Sequence, residues 1–272
     1  IINGDQYSIW KKPANFKPSY QILSFDRIKI NGGLTDITLP PFAVKGIKSV
    51  EVIQSSTFEK SAFITFEPGY TYTLRNDSDK LSIKVITTGL KGKKIVVDAG
   101  HGGKDSGAVG PSGLMEKTVN LGTALLLKQE LEKYGAIVRL TRSTDVFLEL
   151  YERTDIANSL DYDAFISIHA DSYSSTSRGS STYYNTSVNF NGPQSAEMAQ
   201  AIQTNMVASL STYNRGVYNQ NLYVNRMNEL PSILVELAFM SNPTEEKLLA
   251  TDAFRQKAAV GIRNGLEEYF GN

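Results

Sequence analysis

KIVVDAGHGG, residues Lys94 to Gly103, holds a buried strand and its abrupt end. Ile95, Val96 and Val97 are β-branched in a row, the pattern of a strand covered on both faces. Asp98 to Gly103 then give up packing and stiffness together, because each ordered glycine costs conformational entropy. A chain that does this at a strand end needs a sharp bend there and needs His101 clear of the core. A surface turn whose histidine meets only water is the plain alternative, and the rest of the chain decides between them.

Downstream, strands alternate with helices. EKTVNLGTALLLKQELEKYG (Glu116–Gly135) reads as a helix with Leu121, Leu125 and Leu131 on its apolar side and Gly135 as its stop. AIVRLTR (Ala136–Arg142) is a strand, LELYERTDIANSL (Leu148–Leu160) a helix, and AFISIHAD (Ala164–Asp171) a third buried strand. A Ser-rich loop and the strand STYYN lead to a helix from Gln194 to Leu210, SILVELAF (Ser232–Phe239) is another strand, and one or two helices close the chain. The expected fold is α/β: a three-layer α/β/α domain with a mostly parallel sheet over residues 91–272.

Residues 1–90 have a different grammar. YQILSFDRIKI, DITLP, SVEVIQSS, SAFITFEPG, YTYTL and LSIKVIT are short runs rich in Ile, Val, Thr, Tyr and Phe. Asn31-Gly32-Gly33, Pro40-Pro41 and Pro68-Gly69 punctuate them. Ser82-Ile83-Lys84-Val85-Ile86 alternates as a half-buried antiparallel strand does. A small all-β sandwich is expected there, with the boundary in the polar segment Thr87–Lys94.

The composition narrows the function. The chain of 272 residues carries 28 Lys plus Arg against 28 Asp plus Glu, so bulk charge holds it neither to nucleic acid nor to anionic lipid. Cysteine is absent, which excludes disulfides, thiolate zinc sites and a cysteine nucleophile and suits an exported protein. No stretch approaches the roughly 18 apolar residues of a membrane span. A start at Ile1 rather than Met is what removal of a leader would leave.

In open α/β sheets, ligands sit outside the carboxyl ends of the strands. His101 follows the first α/β strand, His169 ends FISIH, Glu236 ends SILVE, and Glu116 lies in the first turn of the helix leaving the His101 loop. These are the chain's only two histidines, and both fall on the functional edge, which favours function over the idle turn. Two imidazoles and a carboxylate form the ligand set of a catalytic zinc site with one position left for water. The helix dipole favours the ionised form of Glu116 that a ligand needs, and equally an ordinary first-turn acid. Glu236 sits between Ile233-Leu234-Val235 and Leu237-Ala238-Phe239, where a carboxylate has no routine packing role. Burial there lifts its pKa toward the range of a general base. Asp98 and Asp171 are candidates either for orienting the imidazoles or for capping turns. Arg139, Arg142 and Arg153 read as fold-stabilising. The glycines of GHGGKDSGAVGPSG are no phosphate cradle, since no Gly-Lys-Ser/Thr follows.

At these residues the sequence resembles a known family. VVDAGHGGKDSGAVGPSGLMEK, LTRSTD, SIHAD, RGVYNQNLYV and PSILVELAFMSNP are similar, in order and spacing, to the successive motifs of the zinc-dependent N-acetylmuramoyl-L-alanine amidases of the family-3 type. The resemblance spans residues 94–270. It implies a zinc ion held by His101, Glu116 and His169, with Glu236 as the catalytic carboxylate. The implied substrate is peptidoglycan, cut between N-acetylmuramic acid and the first L-alanine of the stem peptide by zinc-activated water. Ser106 stands where the family usually has proline, which puts no ligand in doubt. Some relatives carry an extra helix that covers the zinc. Here Asp171–Asn214 hold only a loop, a strand and a helix whose Ala199, Ile202, Met206 and Leu210 must cover the sheet, so an open site is expected. Arg215, in a polar glycine-bearing loop, is a candidate contact for stem-peptide carboxylates. Residues 49–86 resemble, in strand rhythm, the wall-attaching modules of AMIN type that precede such amidases. Two other readings stay open: a non-catalytic wall-binding or amidase-regulating protein, and a zinc hydrolase of another amide.

Overall fold

The computed structural model describes residues 6–11, 18–33, 44–56, 59–76 and 80–271. They form two compact units, one of the described residues up to Thr88 together with Gly271, the other Gly89–Phe270.

The first unit is all β, with strands β1 (Gln6–Lys11), β2 (Ser19–Ser24), β3 (Arg27–Gly33), β4 (Ile47–Ser56), β5 (Glu59–Phe66), β6 (Tyr70–Asn76) and β7 (Lys80–Thr87). They make two antiparallel sheets, in the orders β2-β3-β5-β4 and β1-β7-β6. Ile28, Ile30, Ala62, Ile64, Leu74 and Ile83 are fully buried, and Phe66 of β5 stacks on Tyr72 of β6 with ring centroids 4.9 Å apart. Asn31-Gly32-Gly33 are the last three residues of β3, and the register shifts there. One reading of this region changes. β7 is not half-exposed: Ser82 and Lys84 are buried alongside Ile83 and Val85, and β7 is the central strand of its sheet. The run DITLP lies outside the described residues, and β1 was not foreseen.

The second unit contains strands β8 (Lys94–Ala99), β9 (Ile137–Leu140), β10 (Ala164–Asp171), β11 (Ser180–Tyr184), β12 (Asn214–Asn219) and β13 (Ser232–Phe239). Its helices are α1 (Glu116–Lys133), α2 (Leu150–Asn158), α3 (Gly192–Leu210), α4 (Tyr223–Met227), α5 (Pro243–Leu249) and α6 (Asp252–Tyr269). The sheet order is β12-β11-β13-β10-β8-β9, and every neighbouring pair is parallel except β11 with β13. The mostly parallel α/β fold is as the sequence predicts.

The register divides the sheet into two faces. Val96, Phe165 and Leu234 pack with Ala157 of α2 and Val224 of α4. The alternate residues Ile95, Val97, Ile166, Ile168 and Val235 are fully buried too, and on this other face Thr182 donates to Gln203 of α3 at 2.8 Å. In α1 the phase differs from the expected one. Leu125 is exposed and Leu121 half-buried, whereas Val119, Ala124, Leu127 and Leu131 are buried. Glu116 fixes this phase by turning inward at the first turn, and the positions three and four residues on follow it. Gly135 ends the helix with φ +82°. RGV is not a loop: Asn214–Asn219 form the edge strand β12.

Candidate metal centre

The bend after β8 is built from positive-φ residues. His101 has φ 58°, Gly102 133° and Gly103 54°. A non-glycine residue in this region is uncommon, and it needs surroundings that hold it there. Gly102 and Asp105 exchange backbone hydrogen bonds of 2.9 and 3.0 Å, closing a tight turn. The turn brings the Asp105 carboxylate within 2.7 Å of His101 Nδ1. With Nδ1–H donating to Asp105, the lone pair of His101 is on Nε2. Nε2 faces Glu116 Oε2 at 3.1 Å.

Glu116 opens α1 and points into the same space from a nearly enclosed position. Oε2 accepts from the Ala108 N–H at 2.9 Å, and Oε1 accepts from Ala170 N–H at 3.2 Å and Asn120 Nδ2 at 3.1 Å. Oε1 also lies 2.8 Å from His169 Nδ1. Burial alone would raise the pKa of Glu116, but its contacts with the two imidazoles outweigh burial and hold it far below the ordinary value. Burial opposes protonation of His101, and Glu116 and Asp105 overcome that, moving its pKa up.

Glycine is required beside these groups for space. A Cβ on Gly100 would sit 2.2 Å from His169 Cε1 and Nε2. A Cβ on Gly107 would sit 2.5 Å from Glu116 Oε2 and 2.6 Å from His101 Cδ2. The His169 ring lies across the strand end where any side chain would stand. That answers why β8 runs into glycine.

One ligand atom each from His101, Glu116 and His169 lies within 4.8 Å of the other two. Two neutral imidazole nitrogens and a carboxylate suit zinc or another borderline divalent ion. Glu236 stands opposite His169 in the β10–β13 register and is not part of the triad. Its Oε2 is buried and receives no hydrogen bond among the described residues. Burial, then the charges of Glu116 and Asp171, push its pKa well above the ordinary carboxylate value. An unpaired buried oxygen beside three convergent ligands fits a site built for an ion and a reacting water.

The two aspartates do not orient imidazoles. Asp98 is buried under the strand end and accepts from Arg153 Nη1 at 2.7 Å, Thr141 at 2.6 Å and Ser167 at 2.6 Å. Asp171, at the end of β10, accepts from the N–H of its neighbour Ser172 at 2.7 Å. Of the two readings open for these acids, the orienting one does not hold. Asp105, four residues after His101, holds that place. Arg142 and Arg153 are buried and gather the strand-end carbonyls. Arg142 donates to Ala99 O and Gly100 O, each at 2.9 Å. Arg153 donates to Ala99 O at 2.8 Å and His101 O at 3.0 Å. Arg139 is exposed on β9.

A cavity of about 330 Å³ adjoins the two imidazoles, walled by Phe147, Leu148, Leu222, Tyr223, Val224 and Leu234. Between Ser172 and Tyr213 the described residues form loops, β11 and α3, and none of their side chains bonds to the triad. Arg215, at the sheet edge, is not among the convergent groups; its guanidinium lies over the Phe239 ring, 4.9 Å from the centroid.

Comparison with known proteins agrees with this geometry. Residues 95–268 match the family model of N-acetylmuramoyl-L-alanine amidases. Bacillus subtilis LytC, an N-acetylmuramoyl-L-alanine amidase, is 41% identical over 180 residues, which is 66% of this chain and 36% of LytC. Escherichia coli AmiA, of the same designation, is 33% identical over 222 residues, covering 66% of this chain and 77% of AmiA. The catalytic domain of the amidase CwlV from Bacillus (Paenibacillus) polymyxa superposes with a TM-score of 0.61 at 40% identity, covering 65% of this chain and 97% of that domain. The match takes in nearly the whole α/β unit, and the chain belongs to the N-acetylmuramoyl-L-alanine amidase family.

Proposed function

We propose that this chain is a zinc-dependent peptidoglycan amidase that hydrolyses the bond between N-acetylmuramic acid and the L-alanine of the stem peptide. The observation that carries the reading is the convergence of His101, Glu116 and His169 within reach of one ion, with the unpaired Oε2 of Glu236 beside them. Those three residues would hold the zinc. Zinc, when bound, supplies Lewis acidity toward water and toward the scissile carbonyl. Glu236 takes the proton of the attacking water and delivers it to the departing amine as the C–N bond breaks, leaving a carboxylate on the lactyl group. Its raised pKa suits both steps. Asp105 keeps His101 in the tautomer whose Nε2 carries the lone pair.

The family membership and the intact set of four groups favour an enzyme over a non-catalytic wall-binding protein. Residues 1–90 serve, in this reading, as a separate wall-attaching domain of AMIN type before the catalytic domain of residues 91–272, and the protein works outside the cytoplasm. The deciding experiment is mass spectrometry of the fragments released from purified peptidoglycan, with and without a chelator and with zinc restored. Free stem peptides and intact glycan, lost on chelation and regained with zinc, are expected. Release of another fragment class would refute the substrate. Unchanged cleavage in chelator would refute the metal.

A further inference from the structure

The two flanks of the site differ in chemistry. On the β8 side lies the apolar cavity, and its one cation, Arg153, is already committed to Asp98 and to backbone carbonyls. On the β12 side stand two exposed arginines, Arg178 and Arg215. Arg215 lies 4.9 Å from the centroid of the Phe239 ring and Arg178 5.8 Å from that of Tyr213. Arg215 Nη1 donates to the Arg178 carbonyl at 3.4 Å, so the two residues are joined. Among the described residues neither guanidinium forms an ion pair. Glu245 feels the charge of both, but it is buried and its two oxygens accept from Gly179 N–H at 2.8 Å and Phe239 N–H at 2.7 Å. The remaining guanidinium donors face solvent.

Stacking on a ring pre-orders an arginine, so less side-chain freedom is lost when it binds. Each guanidinium offers a planar donor fork that matches a carboxylate. Their position fits the site as well. Phe239 lies past Glu236 along β13, opposite Asp171 where Glu236 is opposite His169, so this irregular stretch spans roughly 7–10 Å at about 3.3 Å per residue. An extended peptide of about three residues covers that distance.

We propose that Arg178 and Arg215 form a carboxylate-binding site for the stem peptide, so that substrate lies across the sheet edge with its peptide over β11 and β12 and its muramyl group toward the cavity beneath α4. This rests on the amidase reading above. It adds a direction to the substrate and a preference for anionic stems.

The test uses the full zinc-loaded chain and two synthetic N-acetylmuramoyl-L-alanyl peptides, one with free carboxylates and one with each carboxylate converted to carboxamide. The parent is expected to favour the free form by roughly 10- to 100-fold in kcat/KM, mostly through KM. Arg215→Ala and Arg178→Ala should narrow that preference, and the double variant should abolish it, with the loss falling mainly on the free-carboxylate peptide. Equal cleavage of both peptides by the parent overturns the proposal, and this comparison needs no variant to fold. Equal loss on both peptides in the variants overturns it too. Cleavage of neither peptide by the parent overturns the amidase reading and this inference with it.

Discussion

Replacing Gly100 by alanine tests why the first α/β strand ends in glycine. The new Cβ would stand 2.2 Å from His169 Cε1 and Nε2, whereas carbon atoms in contact prefer about 3.5–4.0 Å. The ring must therefore retreat by more than about 1 Å. Gly100 does not occupy the left-handed region, so alanine adds no backbone strain and acts through space alone. The ring borders the cavity and can yield into it, which spares the core. Metal ligands tolerate displacements of about 0.2 Å, and a 1 Å misplacement near chemistry costs on the order of 10²-fold. Zinc affinity should fall about 10- to 100-fold and turnover roughly 10²-fold, with the metal-free protein melting within a few degrees of the parent. Competition against a chromophoric chelator, amide hydrolysis and thermal melts followed by circular dichroism give the three readouts. Parental zinc affinity and turnover in Gly100→Ala would refute the reasoning, because the ring would then not lie where this account needs it.

Asp105→Asn should leave the fold intact and weaken zinc binding by roughly 10- to 100-fold, as loss of a ligand-orienting partner does; chelator competition measures it, and unchanged affinity would remove Asp105 from the site. Asp98→Asn strands the buried Arg153 charge and should cost about 3–5 kcal/mol at pH 7 in denaturant unfolding. Burial works to raise the pKa of Asp98, but Arg153, Ser167 and Thr141 outweigh it and hold the pKa below the ordinary value. The stability it contributes is therefore present above about pH 4 and lost as pH falls through the folded-state pKa. The gap between parent and variant should close only in acid, and a gap constant down to pH 2 would contradict this. Residues 92–272 alone should still cleave soluble muropeptide while binding intact sacculi less well than the full chain. If they co-sediment as well as the full chain, and the first domain stays in the supernatant, the attachment role falls.

The parts of the fold that read plainly from the sequence are those where one physical demand dominates. β10 and β13 begin and end where their apolar runs do, Ala164–Asp171 and Ser232–Phe239, because a strand covered on both faces admits almost no polar residue. β12 is hard to read for the opposite reason: NRGVYN is a largely exposed edge strand with Gly216 at φ 101°, and only Val217 and Tyr218 mark it as apolar. α4, five residues long, is too short to show a period. The two candidate imidazole ligands are legible because the only two histidines of the sequence fall on one sheet edge. Their supports are not, because these depend on tertiary pairing. Asp98 meets Arg153 across 55 residues, and Asp105 reaches His101 only through a turn whose φ values no residue count supplies. An acid four residues after the histidine was the available signal. Ser181 and Tyr183 were equally hidden. They flank Glu236 only because β11 pairs antiparallel with β13, setting Ser181 opposite Glu236.

Glu236→Gln separates proton transfer from metal binding in the proposed site. The substitution keeps the volume and removes the base. Zinc content and hydrolysis of a muramoyl peptide should be measured on the same preparation. One zinc per chain is expected, as in the parent, with turnover lower by roughly 10²-fold or more. Parental turnover with zinc in place would make Glu236 a structural residue, and loss of the zinc would make it a ligand; either result contradicts the account.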